Sequence, residues 1–345
     1  MKIYIPQISF STVPCKHLFI LTRPFYLENT WGNKQDVKHQ WRVEGDCEYT
    51  DRLELADVYF IPLPINLYSK EELNTINLNC SKHQINAYGY VAGDFGKSYG
   101  DFSNLVFFRM GGFRSQLSEQ YKGFPVSLSD HYQRLYNTNR ITAREQQSHP
   151  VVGFCGHAHF GILMRAKETY KSIKENVLRF LEQPTRGDYE PLFASAYQRA
   201  KLLKQLEDSP QIKTNFIYRS KYRAGAVSLK DRERTTMEYY NNIKQSDYVL
   251  CVRGAGNFSV RLYETLMIGR IPVFLNTDCL LPLEAHINWK NHVVWVEWED
   301  RYHLSEYVYK FHNGLTNDEF KALQESNRRL WVEQLSVGGL LEQFK

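Results

Sequence analysis

The chain has 345 residues, with 43 Lys and Arg against 38 Asp and Glu, for a net charge of +5. That length is roughly two domains' worth. So mild a charge excludes an arginine-rich nucleic-acid tail and an acidic disordered segment, but it allows a local basic pocket for phosphate. With 43% hydrophobic and 23% charged residues, the balance is that of a globular chain whose core needs neither disulfides nor a metal.

The first ten residues, MKIYIPQISF, lack a basic region followed by an apolar stretch, so no signal peptide is expected. No segment approaches the roughly 20 apolar residues of a membrane span. The best candidate, LADVYFIPLPINL, is broken by Asp57, Pro62, Pro64 and Asn66. A soluble protein with at most peripheral membrane contact is expected. Short apolar runs rich in β-branched and aromatic residues then follow one another: KIYI, HLFIL (17–21), ADVYFIPL (56–63), NAYGYVA (86–92) and NLVFFR (104–109). Each reads as a strand. Between them, residues 69–84 read as a helix with Ser69 at the N-cap and Glu72 three residues on. Such alternation predicts an α/β fold with a parallel sheet.

The polar stretch 137–150, ending in Pro150, is expected to link two domains. The pattern restarts at VVGFCG (151–156) and continues into a long amphipathic segment, Ile162 to Leu181. There Ile162, Ala166, Tyr170, Ile173, Val177 and Leu181 recur on one helix face. Further runs follow at 216–219, 248–254, 271–275 and 292–298, with helices near 232–244 and 258–268. From Thr316 a capping box with Glu319 opens a helical tail whose stripe is Phe320, Leu323, Leu330 and Trp331. The expected organisation is therefore 1–148, 149–315 and a packed tail, 316–345. None of the six cysteines (Cys15, Cys47, Cys80, Cys155, Cys251, Cys279) forms a C-x-x-C pair, which argues against a zinc ribbon. Cys155 and Cys251 fall within buried-strand runs, and free core thiols fit a reducing, cytoplasmic setting.

The most informative stretch is 246–284. A buried strand, YVLCV, runs through RGAGNFS into a helix. Gly254 and Gly256 permit close approach of a ligand or a positive φ, and Ser259 or Asn257 can cap the helix. The free amides and dipole of that helix N-terminus suit a diphosphate. Arg253 and Arg261 can bond phosphate oxygens, and Glu264 can accept from a ribose diol. The loop is neither a Walker A motif nor G-x-G-x-x-G. Spacing alone leaves open a nucleotide site or a plain α/β turn with a solvated Arg261–Glu264 pair.

This segment resembles the C-terminal signature of exostosin-like glycosyltransferases. It carries Gly254, Gly256, Ser259, Arg261, Tyr263-Glu264, Gly269, Ile271-Pro272-Val273 and Leu281-Pro282, followed by Ile287-x-Trp289 and VVWVEWED. Softer likenesses lie upstream. HPVVGFCG (149–156), ADVYFIPL (56–63) and GFPVSLSD (123–130) resemble family strands, and YVAGDFG (90–96) is similar to a His-Asp-Trp-Gly stretch, with Gly93 for His and Phe95 for Trp. The resemblance covers most of residues 50–300.

The resemblance implies a GT-B-like architecture of two Rossmann-like domains with parallel sheets facing a central cleft, the second binding a nucleotide-sugar donor. It implies transfer of a sugar, with inversion and without a metal, from a UDP- or GDP-linked donor to a glycan, lipid-linked glycan or other hydroxyl acceptor. No cofactor beyond the donor is expected. Arg219, Lys221 and Arg223 alternate along an extended segment and can reach the phosphates. His157 can touch the donor. The base that such a displacement needs has three candidates, Asp94, Asp130 and His131. The competing reading is a non-catalytic nucleotide- or polyanion-binding module on the same fold. Nucleic acid is excluded as a partner by the mild charge and the lack of interleaved basic and aromatic motifs.

Overall fold

A computed structural model describes residues 1–7, 18–25, 41–42, 48–95, 97–182, 189–219 and 225–344. Cys15, Cys47, Lys221 and Arg223 lie outside the described residues. The chain divides into two compact units. One comprises Met1–Asp130, Leu280–Glu284 and Val332–Lys345, and the other His131–Cys279 and Ala285–Trp331.

The first unit is built on a six-stranded parallel sheet. Its strands are β1 (Lys2–Tyr4), β2 (Glu48–Thr50), β3 (Val58–Phe60), β4 (Asn86–Tyr90), β5 (Leu105–Arg109) and β6 (Tyr121–Gly123), in the order β2-β1-β3-β4-β5-β6. Helix α1 (Lys70–His83) starts at the expected capping box, Ser69 with Glu72. It buries Leu73, Ile76 and Cys80 in a core with Tyr59, Ala87 and Phe107. The other core cluster is aromatic, with Phe19, Phe60 and Phe124 buried and Phe108 and Phe344 packed against them. Residues 18–21 of the expected strand run are not a strand. The backbone turns at Phe19, whose carbonyl accepts from both the amide and the hydroxyl of Thr22, and a 3-10 helix follows at Ile20–Phe25. Leu18 to Leu21 are nevertheless buried, so the apolar run marked core without marking strand.

The second unit holds β7 (Val151–Gly156), β8 (Lys213–Tyr218), β9 (Tyr248–Cys251), β10 (Ile271–Asn276) and β11 (Val294–Glu297), all parallel, in the order β11-β10-β9-β7-β8. Counted within the unit this is 2-1-3-4-5, a doubly wound order whose direction reverses between β7 and β9. Its described helices are α2 (His131–Tyr136), α3 (Ile162–Glu182), α4 (Ser195–Asp208), α5 (Leu229–Lys244), α6 (Val260–Met267), α7 (Leu304–Asn313) and α8 (Asn317–Leu330). The core gathers Phe154, Leu203, Tyr248, Leu250, Val273, Val294 and Phe320. Two parallel α/β sheets, one per unit, meet the α/β, GT-B-like expectation.

Three expectations need correction. The segment 137–150 is not a linker. It belongs to the second unit, because Arg144 Nε bonds the fully buried Asp247 (2.5 Å) and its amide bonds Gln324 (2.9 Å), while the Gln146 amide bonds Asn317 (2.8 Å). The boundary is therefore at Asp130, before α2. The tail also divides. Helix α8, with its Thr316–Glu319 capping box, stays in the second unit. The residues from Val332 join the first, where α9 (Val337–Glu342) buries Val337, Leu340 and Leu341 and the Phe344 ring meets Phe60 and Tyr88 edge-on.

The third correction concerns α3. It spans the expected residues but turns its apolar stripe outward. Ile162, Tyr170, Ile173, Val177 and Leu181 are exposed, and the buried positions are Ser172 and Arg179. The polar face has local partners. Glu168 accepts from the Ser195 hydroxyl and the Ala196 amide and so caps α4, and Arg179 pairs with Glu175 (3.0 Å) and Glu190 (3.9 Å).

Candidate active site

The signature loop lies where the sheet order of the second unit reverses. In open α/β sheets ligands bind at that point, outside the carboxyl ends of the strands. Strand β9 ends at Cys251, and α6 begins at Val260 with Ser259 at its N-cap. The Gly254 amide bonds the Phe258 carbonyl (3.1 Å) and closes the loop between them. Neither Gly254 nor Gly256 adopts a positive φ, so close approach is what remains of the two expectations for them. A Cβ at Gly254 would meet nothing within 4 Å. Among the glycines of the signature segment, the positive φ is at Gly269 (+69°), which closes the C-terminus of α6.

Neither expected side-chain cap forms. Ser259 makes no capping bond, and the Asn257 amide instead reaches the Thr277 and Asp278 carbonyls (2.8 and 3.1 Å). No hydroxyl or carboxamide from these two residues occupies the first amides of α6, so neither side chain competes there with an anion.

Arg261 sits astride the reversal. Its Nη2 donates to the carbonyl of Cys155 on β7 (3.0 Å) and its Nη1 to that of Leu250 on β9 (3.4 Å). The guanidinium lies 4.3 Å over the Phe154 ring. Its Nε–H is buried and meets no acceptor at hydrogen-bond geometry among the described residues, as is true of Arg219, while the Tyr239 side chain supports its charge. A buried donor without a partner is costly, so it marks a place where an acceptor is expected.

Arg199, on α4, was not foreseen from the sequence. Burial and the nearby charge of Arg261 pull its guanidinium down to about 10. Its side chain reaches only its own helix, at the Ser195 carbonyl (3.1 Å) and hydroxyl (2.9 Å), among the bonds described. His157, just past β7, is likewise shifted down, by burial and then by Arg199. Arg261, whose charge Tyr239, Cys251 and Glu264 support against burial, stands near Arg199, whose charge it disfavours, and with an uncapped helix N-terminus they form a field suited to a dianion.

Glu264 lies one turn along α6. Both of its carboxylate oxygens accept from tyrosine hydroxyls, Oε2 from Tyr239 and Oε1 from Tyr240 (3.2 Å). Burial, reinforced by Glu264, raises both hydroxyls well above their usual range, so they stay protonated donors. The Arg261–Glu264 surface pair that spacing left open is not the arrangement found, since each side chain has other partners. The adjacent tyrosines of α5 were a missed signal. Two aromatic residues side by side in a helix otherwise rich in charge cannot both face solvent cheaply.

The other basic candidates are held structurally. Arg253 is buried against Glu190 (3.4 Å) and the Ala255 carbonyl (2.9 Å), with its guanidinium 4.7 Å over Phe193. Burial lowers its ionisation from the ordinary value, and Glu190 opposes that. Glu190 thus joins Arg179 and Arg253, a link among residues distant in sequence. Arg219 donates to Glu238 and the Thr235 carbonyl (both 2.8 Å), which ties the end of β8 to α5.

The three base candidates separate. Asp94 is exposed, four residues beyond the end of β4 in the first unit. Asp130 is buried and paired with Arg42 (2.9 Å). His131 opens α2 in the second unit, where its ring lies 4.9 Å from Tyr240 and its Nδ1 is 2.7 Å from Arg134 Nη2. Among the described residues, no three His, Cys, Asp or Glu side chains gather as a metal site, and no helix is long and apolar enough to cross a membrane.

Comparison with known proteins bears on this arrangement. The model of the exostosin GT47 domain matches residues 111–309, more than half of the chain and all of the signature loop. The chain belongs to the exostosin GT47 glycosyltransferase family. Exostosin-1 of Drosophila melanogaster is 28% identical over 101 residues, which is 29% of this chain and 13% of that protein. The chain therefore matches only about an eighth of that relative's length. Among solved structures, Anabaena Alr3699/HepE in complex with UDP-glucose is similar over 100% of this chain and 98% of that one, at 9% identity and a TM-score of 0.36. An alpha1,3-fucosyltransferase is similar over 95% and 82%, at 9% identity and a TM-score of 0.35.

Proposed function

We propose that this GT47 chain is a nucleotide-sugar-dependent hexosyltransferase acting on a glycan or lipid-linked glycan, with UDP or GDP as the leaving group and inversion at the anomeric carbon. The observation that carries the reading is Arg261, held across β7 and β9 at the sheet reversal with a buried, unanswered Nε–H beside the N-terminus of α6. In this proposal the diphosphate lies against the α6 amides, Arg261 and Arg199, and the ribose diol shares Glu264 with the two tyrosine hydroxyls. The acceptor oxygen forms the new bond to the anomeric carbon as the bond to the diphosphate breaks. Asp94 takes the hydroxyl proton, because Asp130 is already committed to Arg42. The developing charge on the leaving group falls on the helix dipole and the guanidiniums, a task that otherwise goes to a cation, so the proposal requires no metal. The buried free thiols Cys80, Cys155, Cys251 and Cys279 fit the cytoplasmic setting that forms part of this reading.

The test is calorimetric titration of UDP and GDP into the protein and into Arg261→Met, with and without EDTA. One nucleotide is expected to bind and to keep its affinity in EDTA. The variant is expected to bind it roughly 10- to 100-fold more weakly, the worth of a hydrogen bond to a charged group. If neither nucleotide binds, or the variant matches wild type, the site is misplaced. If a sugar donor binds but is never turned over with any acceptor or with water, the chain is a binding module.

A further inference from the structure

Helix α3 poses a physical problem that the donor site does not solve. It is 21 residues long, about 30 Å, and an ordinary surface helix would bury its apolar stripe. Here Ile162 is 82% exposed, Leu163 87%, Tyr170 64%, Val177 51% and Leu181 72%. At 3.6 residues per turn these side chains share one sector of about 100°. Lys167, Lys171 and Lys174, all exposed, line one flank of that sector. The acids of the helix do not balance them on that face. Glu168 caps α4, Glu175 is tied to Arg179, and the exposed Glu182 stands at the last position.

We propose that this face of α3 docks the protein on an anionic lipid bilayer, with the helix lying in the plane of the interface. An exposed apolar stripe bordered by lysines is the pattern of an interfacial helix, which buries its apolar residues at the acyl boundary while the ammonium groups meet acidic headgroups. The row of lysines decides the occupant. A second copy of the chain would bring a like-charged row against the first, whereas an anionic surface complements it. The polar face is fixed by its own bonds to α4 and Glu190, so the helix need not rotate or unfold to present the stripe.

The test is flotation of the whole protein with phosphatidylcholine vesicles and with vesicles containing phosphatidylglycerol, combined with light scattering of the protein alone. The expected result is a monomer that floats with the anionic vesicles, less so as salt rises, and little with phosphatidylcholine. Each of Lys167→Gln, Lys171→Gln and Lys174→Gln is expected to lower partitioning about five-fold. The double variant Ile173→Glu/Val177→Glu is expected to lower it more than ten-fold while keeping the wild-type melting temperature, since both positions are exposed. Failure of the wild type to float with anionic vesicles would overturn the proposal. So would a stable dimer in light scattering that Ile173→Glu/Val177→Glu splits, which would make a second copy the occupant. Neither outcome depends on nucleotide binding, so this proposal and that of the donor site fail separately.

Discussion

Two glycines of the signature segment make opposite demands, and a single methyl group on each separates ligand approach from chain geometry. At Gly254 a Cβ would find no atom within 4 Å, and the backbone is outside the left-handed region. Gly254→Ala is therefore expected to leave stability unchanged or to raise it by about 0.4–1 kcal/mol, by restricting the unfolded chain. If the open space before Gly254 is where a phosphate lies, the methyl displaces it and forfeits a charge-assisted bond, about 1.5–3 kcal/mol or roughly 10- to 100-fold in affinity. At Gly269 the φ is +69°, and a Cβ would stand 2.2 Å from Ile141 Cδ1 and 3.1 Å from the Gln324 carbonyl. Gly269→Ala is expected to cost about 1–2 kcal/mol for the left-handed conformation and about 1–3 kcal/mol for overpacking. It should not change nucleotide affinity in the protein that remains folded. Thermal melts and calorimetry with UDP and GDP measure both quantities on both variants. Were Gly254→Ala to bind nucleotide as wild type does, no ligand would approach that loop. Were it to melt early like Gly269→Ala, the space before it would be filled, and the argument from the open loop would fail.

Glu264→Gln keeps the shape but removes the charge that two tyrosine hydroxyls and the proposed diol share. Donor affinity should fall roughly 10- to 100-fold, whereas Tyr239→Phe should cost about 0.5–1.5 kcal/mol, since the carboxylate survives. Unchanged calorimetric affinity in both would remove Glu264 from the site. Asp94→Asn is expected to cut kcat by roughly 10²- to 10⁴-fold with donor affinity unchanged. Asp130→Asn should act mainly on stability, because it strips Arg42 of a buried partner; normal turnover in Asp94→Asn would move the base elsewhere. His157 is held below its ordinary value in the folded protein, by burial and by Arg199. The unfolded chain then takes up a proton first as pH falls, so this residue's contribution is full above about 6.5 and is lost below it. Melts across pH 5–8 on wild type and His157→Gln should show a shallower acid fall in the variant, and parallel curves would contradict the sign.

What could be read in the sequence was local. The capping boxes Ser69–Glu72 and Thr316–Glu319 each lie within one turn, and both helices begin where those residues place them. Strands β7, β9 and β10 are apolar up to the terminal Asn276, as expected of strands covered on both faces, and they mark themselves. The glycine loop was legible for the same reason, since strand, loop and helix are contiguous. The errors at 137–150 came from distance. A polar stretch without an apolar face reads as a linker until Asp247, Asn317 and Gln324, more than 100 residues away, supply its bonds. Arg199 and Glu190 were missed on the same ground, because what makes each significant is a charge on another element.

Helix α3 shows why periodicity finds an element more reliably than it finds which way the element faces. The spacing of its apolar residues gave the helix and its length correctly, because any strongly amphipathic stretch of that period is helical wherever it lies. The inference that the apolar face points inward adds a second premise, that no polar set on the other face has better partners in the protein. Here that premise fails. Glu168 ends up at the Ala196 amide of α4 and Arg179 beside Glu190, so turning the helix over would uncap one helix and part Arg179 from Glu190. Capping is worth about 1 kcal/mol, and breaking a buried ion pair costs about 3–5 kcal/mol. Those terms favour the observed face only if the stripe finds an apolar surface outside the chain, since burying each large side chain is worth about 1.5–3 kcal/mol. The orientation of α3 thus becomes intelligible with a bilayer against it, and the flotation of Ile173→Glu/Val177→Glu decides whether that is the surface it meets.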